Sequence, residues 1–110
     1  MDLRDYRGVI REAVRRERHC DQNWSWKVRA ISKEKAQIGW GYLDFLEDPT
    51  SFVVKIYEND DVGMYVLGTV PNGHKIAMFV GNNRWDDVKT VEEGIAGVIH
   101  NMALYAHATY

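Results

Sequence analysis

Cysteine occurs once in this chain of 110 residues, at position 20, so no intrachain disulfide can form and nothing points to an oxidising compartment. The expected setting is the reducing cytoplasm. No apolar run approaches the roughly 20 residues of a membrane-spanning helix, and the N-terminus, charged from Asp2 onward, has no apolar stretch of the signal-peptide kind. Neither charge sign is in large excess: 14 Lys and Arg face 16 Asp and Glu, with a pI near 6.0. A dedicated nucleic-acid binder carries a clearly basic field, so this balance argues against that class for the whole molecule. Catalytic signatures are missing too: there is no G-x-S-x-G elbow, no Gly-rich phosphate loop and no H-E-x-x-H pair.

What is present suits a folded domain. Apolar residues make up 45% and charged residues 27%, which excludes a disordered or fibrous chain, and the length fits one domain spanning residues 1–110. The charge is unevenly placed. Residues 1–55 hold 11 basic and 9 acidic side chains, a balance of +2, whereas residues 56–110 hold 3 and 7, a balance of −4.

Leu3, Tyr6, Val9, Ile10, Ala13 and Val14 recur at helical spacing, and Asp2 can cap a first helix reaching to about Arg18. At about 100° per residue the apolar side chains span an arc of about 140°. Arg4, Arg7, Arg11, Arg15 and Arg18 fill a neighbouring arc of about 80°, either a solvated face or a row of phosphate contacts. From Trp24 the period becomes two. WSWKVRAI sets Trp24, Trp26, Val28 and Ala30 against Ser25, Lys27, Arg29 and Ile31, as in a half-buried strand.

QIGWGYLDF, SFVVKIYE, MYVLGTV and HKIAMFV supply four further strands, with Gly39 and Gly41 marking a bulge or close packing. PNGH is the strongest hairpin signal, because Asn72 and Gly73 tolerate positive φ. GNNRWDDVK reads as a loop, and Thr90 to Glu93 has the capping-box form, starting a second helix that runs to the C-terminus. Gly94 and Gly97, about 60° apart on that helix, are either loosely tolerated or a place for the first helix or a partner to approach. The expected fold class is α+β: a five-stranded antiparallel meander with N- and C-terminal helices packed on one face, in the order α-β-β-β-β-β-α.

Few residues suggest chemistry. Cys20 neighbours His19, but adjacent side chains diverge and no third orienting group is evident. His100 and His107 are about 10 Å apart along a helix axis, too far to share a metal ion with ligand bonds of about 2 Å. The acidic pairs Asp60-Asp61 and Asp86-Asp87 lack a calcium-loop pattern. The expectation is therefore a non-enzymatic protein with no catalytic residue, no metal and no cofactor.

The acids matter more as a surface. Turns of a meander alternate between the two ends of the sheet, so Glu58, Asp60, Asp61, Asp86 and Asp87 are expected at one end, with Arg84 and Trp85 among them. A loop Trp beside an Arg has the composition of a binding hot spot, and acids around it steer toward a basic partner. Trp24, Trp26 and Trp40 are expected in the core unless they line an uncovered sheet face, where they would form an aromatic platform.

In size, in the α-β5-α pattern and in the acidic loops EDPT, ENDD and WDDVKTVEE, the chain resembles small phage-encoded inhibitors of bacterial defence, the anti-CRISPR proteins among them, and also toxin-immunity proteins. The resemblance is one of general build and transfers no residue role. It implies a protein that inhibits a protein or ribonucleoprotein complex by occlusion, its acidic end imitating phosphates before a basic groove. The alternatives are a nucleic-acid-binding module using the arginine face and a toxin-immunity protein. A homodimer over the uncovered sheet face remains open.

Overall fold

The computed structural model describes residues 2–17, 24–42, 50–61, 63–81 and 87–109, with backbone only at residues 24, 42, 50, 59, 87 and 109. A 3-10 turn, Leu3–Tyr6, leads into helix α1, Arg7–Arg16. Strands β1 (Trp24–Ile31), β2 (Ala36–Tyr42), β3 (Thr50–Asn59), β4 (Gly63–Thr69) and β5 (Lys75–Val80) form an antiparallel meander. A two-residue strand β6, Asp87–Val88, extends the sheet in parallel beside β5, and helix α2 runs Val91–Thr109. The five-stranded α+β build read from the sequence is the one observed.

The helix ends follow from local chemistry. Asp2 accepts the Arg4 backbone N–H at 2.9 Å, satisfying one of the orphan donors of the first turn, and the Leu3 amide donates to the Lys33 carbonyl, pinning the turn to the β1–β2 connection. Thr90 caps α2 by accepting the Glu93 amide at 3.1 Å. The return arm of the expected capping box lands one residue early, since Glu93 Oε2 accepts from the Lys89 amide. In the β4–β5 hairpin the Gly73 amide donates to the Val70 carbonyl and the Val70 amide to the His74 carbonyl, with Gly73 at φ 88°. Pro71 and Asn72 make the turn, and Gly73 takes the left-handed position that favours glycine.

Three local details depart from the sequence reading. The irregularity foreseen at Gly39 and Gly41 lies instead in β1, where Val28 pairs with Ile38 but Ala30 with Gln37. The extra residue reverses the alternation: Ala30 shares the side of Gln37, and Ile31 shares that of the buried Ala36. Secondly, α1 ends at Arg16, because Glu17 turns to extended backbone at ψ 132°. Thirdly, the stretch read as loop up to Lys89 contains β6, held by the Gly81 amide donating to the Val88 carbonyl, with Gly81 at φ 70°. Two residues are too few to show a period of two.

Both helices lie over the same face of the sheet. That face carries Ile38, Trp40, Phe52, Val54 and Val66, all but inaccessible to solvent, against Ile95, Val98, Ile99 and Met102 of α2. Each such side chain contributes roughly 1.5–3 kcal/mol on burial, so this layer outweighs the exposed ion pairs, worth about 0–1 kcal/mol each. Trp26 and Trp40 belong to it, with ring centroids 4.6 Å apart and Phe52 4.8 Å from Trp26. They are core, not platform.

The glycines of α2 serve neither helix one nor a partner in this packing. A Cβ on Gly94 would meet Val66 at 2.9 Å and one on Gly97 would meet Met78 at 2.7 Å, so both seat the helix against the sheet. From the other side, a Cβ on Gly68 of β4 would collide with Met102 and Val98. Gly8 on α1 has open space around it. Opposite outcomes are therefore expected: Gly68→Ala lowers unfolding stability by about 1–3 kcal/mol through overpacking, whereas Gly8→Ala raises it by roughly 0.5–1 kcal/mol through helix propensity. Urea unfolding of the two variants checks this, and equal effects of the same sign would show that α2 does not rest on Gly68.

Candidate functional site

Three surfaces merit comparison: the arginine face of α1, the acidic end of the sheet, and the sheet face that the helices leave open. On α1 much of the arginine charge is answered locally. Arg4 lies across Asp2 in a bidentate pair, with its Nη2 2.7 Å from Oδ2. Glu12 takes both Arg15, at 2.6 Å, and Arg16, at 3.2 Å. The hydrogen bond from Arg15 holds the Glu12 carboxyl down at about 2, from an ordinary 4.5, and the bond from Arg4 does the same for Asp2, from 3.8 to about 2. Arg7 and Arg11 are exposed and make no ion pair among the described residues. Arg18 lies outside the described residues. Of the four described arginines of the ladder, the two that make no ion pair among the described residues, Arg7 and Arg11, lie one turn apart.

The acidic end is only partly described. Glu58, Asp60 and Asp61 are exposed around the β3–β4 turn, where a shallow groove is lined by Glu58, Asp60, Gly63 and Met64. Because Met64 pairs with Val80, Gly81 follows β5 at the same end of the sheet. Arg84, Trp85 and Asp86 lie outside the described residues, as does the side chain of Asp87, whose backbone pairs with Phe79. Cys20 and His19 also lie outside them. The remaining histidines have structural surroundings: His74 stacks on Tyr105 at 5.0 Å, His100 Nδ1 is 3.0 Å from Glu17 Oε1, and His107 packs near Trp40 at 5.3 Å. Among the described residues no three His, Cys, Asp or Glu gather in a way that could hold a metal ion, and no helix is long and apolar enough to cross a membrane.

The third surface was expected from the sequence only as a tryptophan platform or a homodimer contact, and its residues were not those observed. Alternation along β3, β4 and β5 directs Phe52, Val54 and Val66 to the helices, so Val53, Lys55 and Tyr57, Tyr65 and Leu67, and Ala77 and Phe79 stand on the opposite face. Register brings three rings into one row across three strands. Tyr57 pairs with Tyr65 and Tyr65 with Phe79, and the ring centroids are 5.4 Å and 5.8 Å apart. The Tyr57 and Tyr65 rings are nearly parallel, at 19°. The next row holds Lys55, Leu67 and Ala77, and the row beyond it Val53, Thr69 and Lys75. No described element covers these rows.

The signal for this face was present in SFVVKIYE and HKIAMFV, whose apolar residues occupy both parities. In an antiparallel sheet with one wet side the outward positions are ordinarily polar. No family model matches the chain, and comparison with curated proteins and with solved structures finds no similar one.

The arginine pairing has a pH consequence. Glu12 is depressed in the folded chain, so its contribution to stability is present above its ordinary value of 4.5 and is lost as pH falls through about 2. A carboxyl-detected NMR titration is expected to place the Glu12 midpoint near 2, and Arg15→Ala to move it up toward 4.5. A Glu12 midpoint unchanged by Arg15→Ala would mean that Arg15 is not its partner in solution.

Proposed function

We propose that the chain is a non-enzymatic binding protein that works by covering a surface of a macromolecular partner, and that its working surface is the open face of the sheet. The observation that carries this reading is the row Tyr57, Tyr65 and Phe79, with Leu67 and Val53 behind it, on the side away from both helices. Cross-strand ring pairs stabilise a sheet by only about 0.2–1 kcal/mol each, and a partner that displaces water from these three half-buried rings and two aliphatic side chains adds to that gain. Contiguous apolar patches of this kind mark interaction sites, and Tyr is enriched where they bind. The rigid sheet also presents the rings at little entropic cost.

A second reading is favoured by the acids. Glu58, Asp60 and Asp61 are exposed at the end of the sheet where Gly81 follows β5. An occluding inhibitor of the anti-CRISPR type, or a toxin-immunity protein, would set such an end against a Lys- and Arg-lined groove, where complementary charge accelerates docking. In that case the open face would be a secondary contact.

Affinity purification from a bacterial lysate, read by mass spectrometry and nucleic-acid staining, separates the two. The double variant Tyr57→Ser/Tyr65→Ser is expected to lose at least about tenfold in captured partner, as hot-spot truncations do, while Asp60→Lys/Asp61→Lys keeps it. The reverse pattern would transfer the function to the acidic end. Capture indifferent to both pairs would remove both surfaces, with circular dichroism confirming that each variant is folded.

A further inference from the structure

We infer that the open sheet face binds single-stranded nucleic acid, with bases stacked on Tyr57 and Tyr65 and phosphates met by Lys55 and Lys75; this rests on the reading of that face as the working surface. The argument begins with charge. The chain as a whole carries −2, yet the outward positions of β1 to β5 hold Lys27, Lys55 and Lys75 and, among the described residues, no carboxylate. The exposed Arg29 sits at the β1 bulge beside them. Glu58 shares the register of Met64 and so belongs to the helix side, while Asp60 and Asp61 lie in the turn beyond the strands. The face is basic within an acidic molecule.

Spacing supports the same ligand. Lys55 is two residues before Tyr57 on one strand, about 7 Å along it, and Lys75 lies four before Phe79, about 13 Å away. Cations thus stand beside and behind the ring row at distances that a phosphate backbone running across the strands can reach while its bases lie over the rings. At the β3 edge of the row a groove of about 390 Å³ is lined by Lys33, Glu34, Lys55, Ile56 and Tyr57. Two ammonium groups, an aromatic wall and one carboxylate there favour an anion over a cation.

Rings on a sheet stack only bases that are unpaired, since a duplex buries its base faces, and side chains of this kind bind single strands with little sequence preference. A second copy of the chain fits less well. A two-fold contact is isologous, so Lys55 and Lys75 would be brought against the same patch on the other copy, and interface cores are depleted in lysine. The arginines of α1 are on the other side of the sheet and are not part of the site.

The test is fluorescence anisotropy of the purified chain with labelled oligo-dT and oligo-U of about 12 nucleotides, within the 4–16 that single-strand sites span. Binding is expected at low salt, with the logarithm of the affinity falling linearly against the logarithm of salt concentration, and with a duplex of equal length binding more weakly. Tyr65→Ala should weaken binding about 5- to 150-fold. Tyr65→Phe, which keeps the ring, should bind like the parent chain even if the alanine variant folds poorly. Lys55→Gln and Lys75→Gln should each flatten the salt slope by about 0.7, and Arg7→Gln/Arg11→Gln should leave affinity and slope unchanged. Absence of binding at low salt, binding indifferent to Tyr65→Ala, or binding lost in the Arg7/Arg11 variant would each overturn the inference. If the oligonucleotides fail while the Tyr57/Tyr65 pair still governs capture from lysate, only the choice of ligand falls; if both fail, the reading of the face falls with it.

Discussion

The close seating of α2 on the sheet governs the rest of the molecule. Val66 and Met78 of the sheet enter the space left by Gly94 and Gly97, and Val98 and Met102 of the helix fill the space over Gly68. Side chains at Gly68 and Gly94 would push Val98, Met102 and Val66 away and open voids that a tightly packed interior does not tolerate, while at Gly97 the flexible end of Met78 would have to move. The intimacy extends to the C-terminal half of α2, where Tyr105 stacks on His74 and its hydroxyl takes the Asn72 side-chain amide, tying the helix to the β4–β5 hairpin. With α1 packed beside α2 and over β1, one face of the sheet is fully used. No described element covers the other.

That asymmetry sets the terms for function. A sheet with one dry side ordinarily turns polar residues outward, and β1 and β2 do so with Ser25, Lys27 and Gln37. From β3 to β5 the outward positions change to Val53, Tyr57, Tyr65, Leu67 and Phe79. The transition falls on the strands that α2 holds most firmly from behind, at Val66 and Met78. Rings mounted on this part of the sheet are preorganised by packing on the opposite side, so a partner would not have to order them on binding.

Much of this was legible in the sequence, and what was not had local causes. The helix at each end, five strands in meander order and the Pro71-to-His74 turn follow from periodicity and turn chemistry, which act over a few residues. The face assignment of Ala30 and Ile31 was lost because a single extra residue reverses parity, and nothing in WSWKVRAI announces it. β6 was too short to carry a pattern. The arginine ladder was visible as spacing, and the pairing of Glu12 with Arg15 and Arg16 follows from their helical offsets, whereas the bidentate hold of Asp2 on Arg4 depends on side-chain rotamers. The open aromatic row was missed for a different reason. The tryptophan alternation points to the helix side, where Trp40 is buried and the half-buried Trp26 packs against it, whereas the tyrosines sit in runs whose apolar character on both parities is the informative feature. Of the acidic site, Glu58, Asp60 and Asp61 fall where expected, and Arg84, Trp85 and Asp86 lie outside the described residues.

The two exposed surfaces are not independent. The Tyr57 and Tyr65 pair is set one residue pair in from Glu58 and Met64, next to the turn that carries Asp60 and Asp61. Acid at that end and lysines on the rows leading away from it give the open face an electrostatic direction. Within a Debye length of about 8 Å at physiological salt the two sides of the ring row, one toward the β3–β4 turn and one toward Lys55, experience different fields. A polyanion crossing the face would be drawn toward Lys55 and Lys75 and turned away from the β3–β4 turn, whereas a basic protein surface would be oriented the opposite way, acid end first. The rings supply contact area to either, but the charges impose opposite docking directions, so the position of a bound partner along β3 identifies its chemistry as firmly as its composition would.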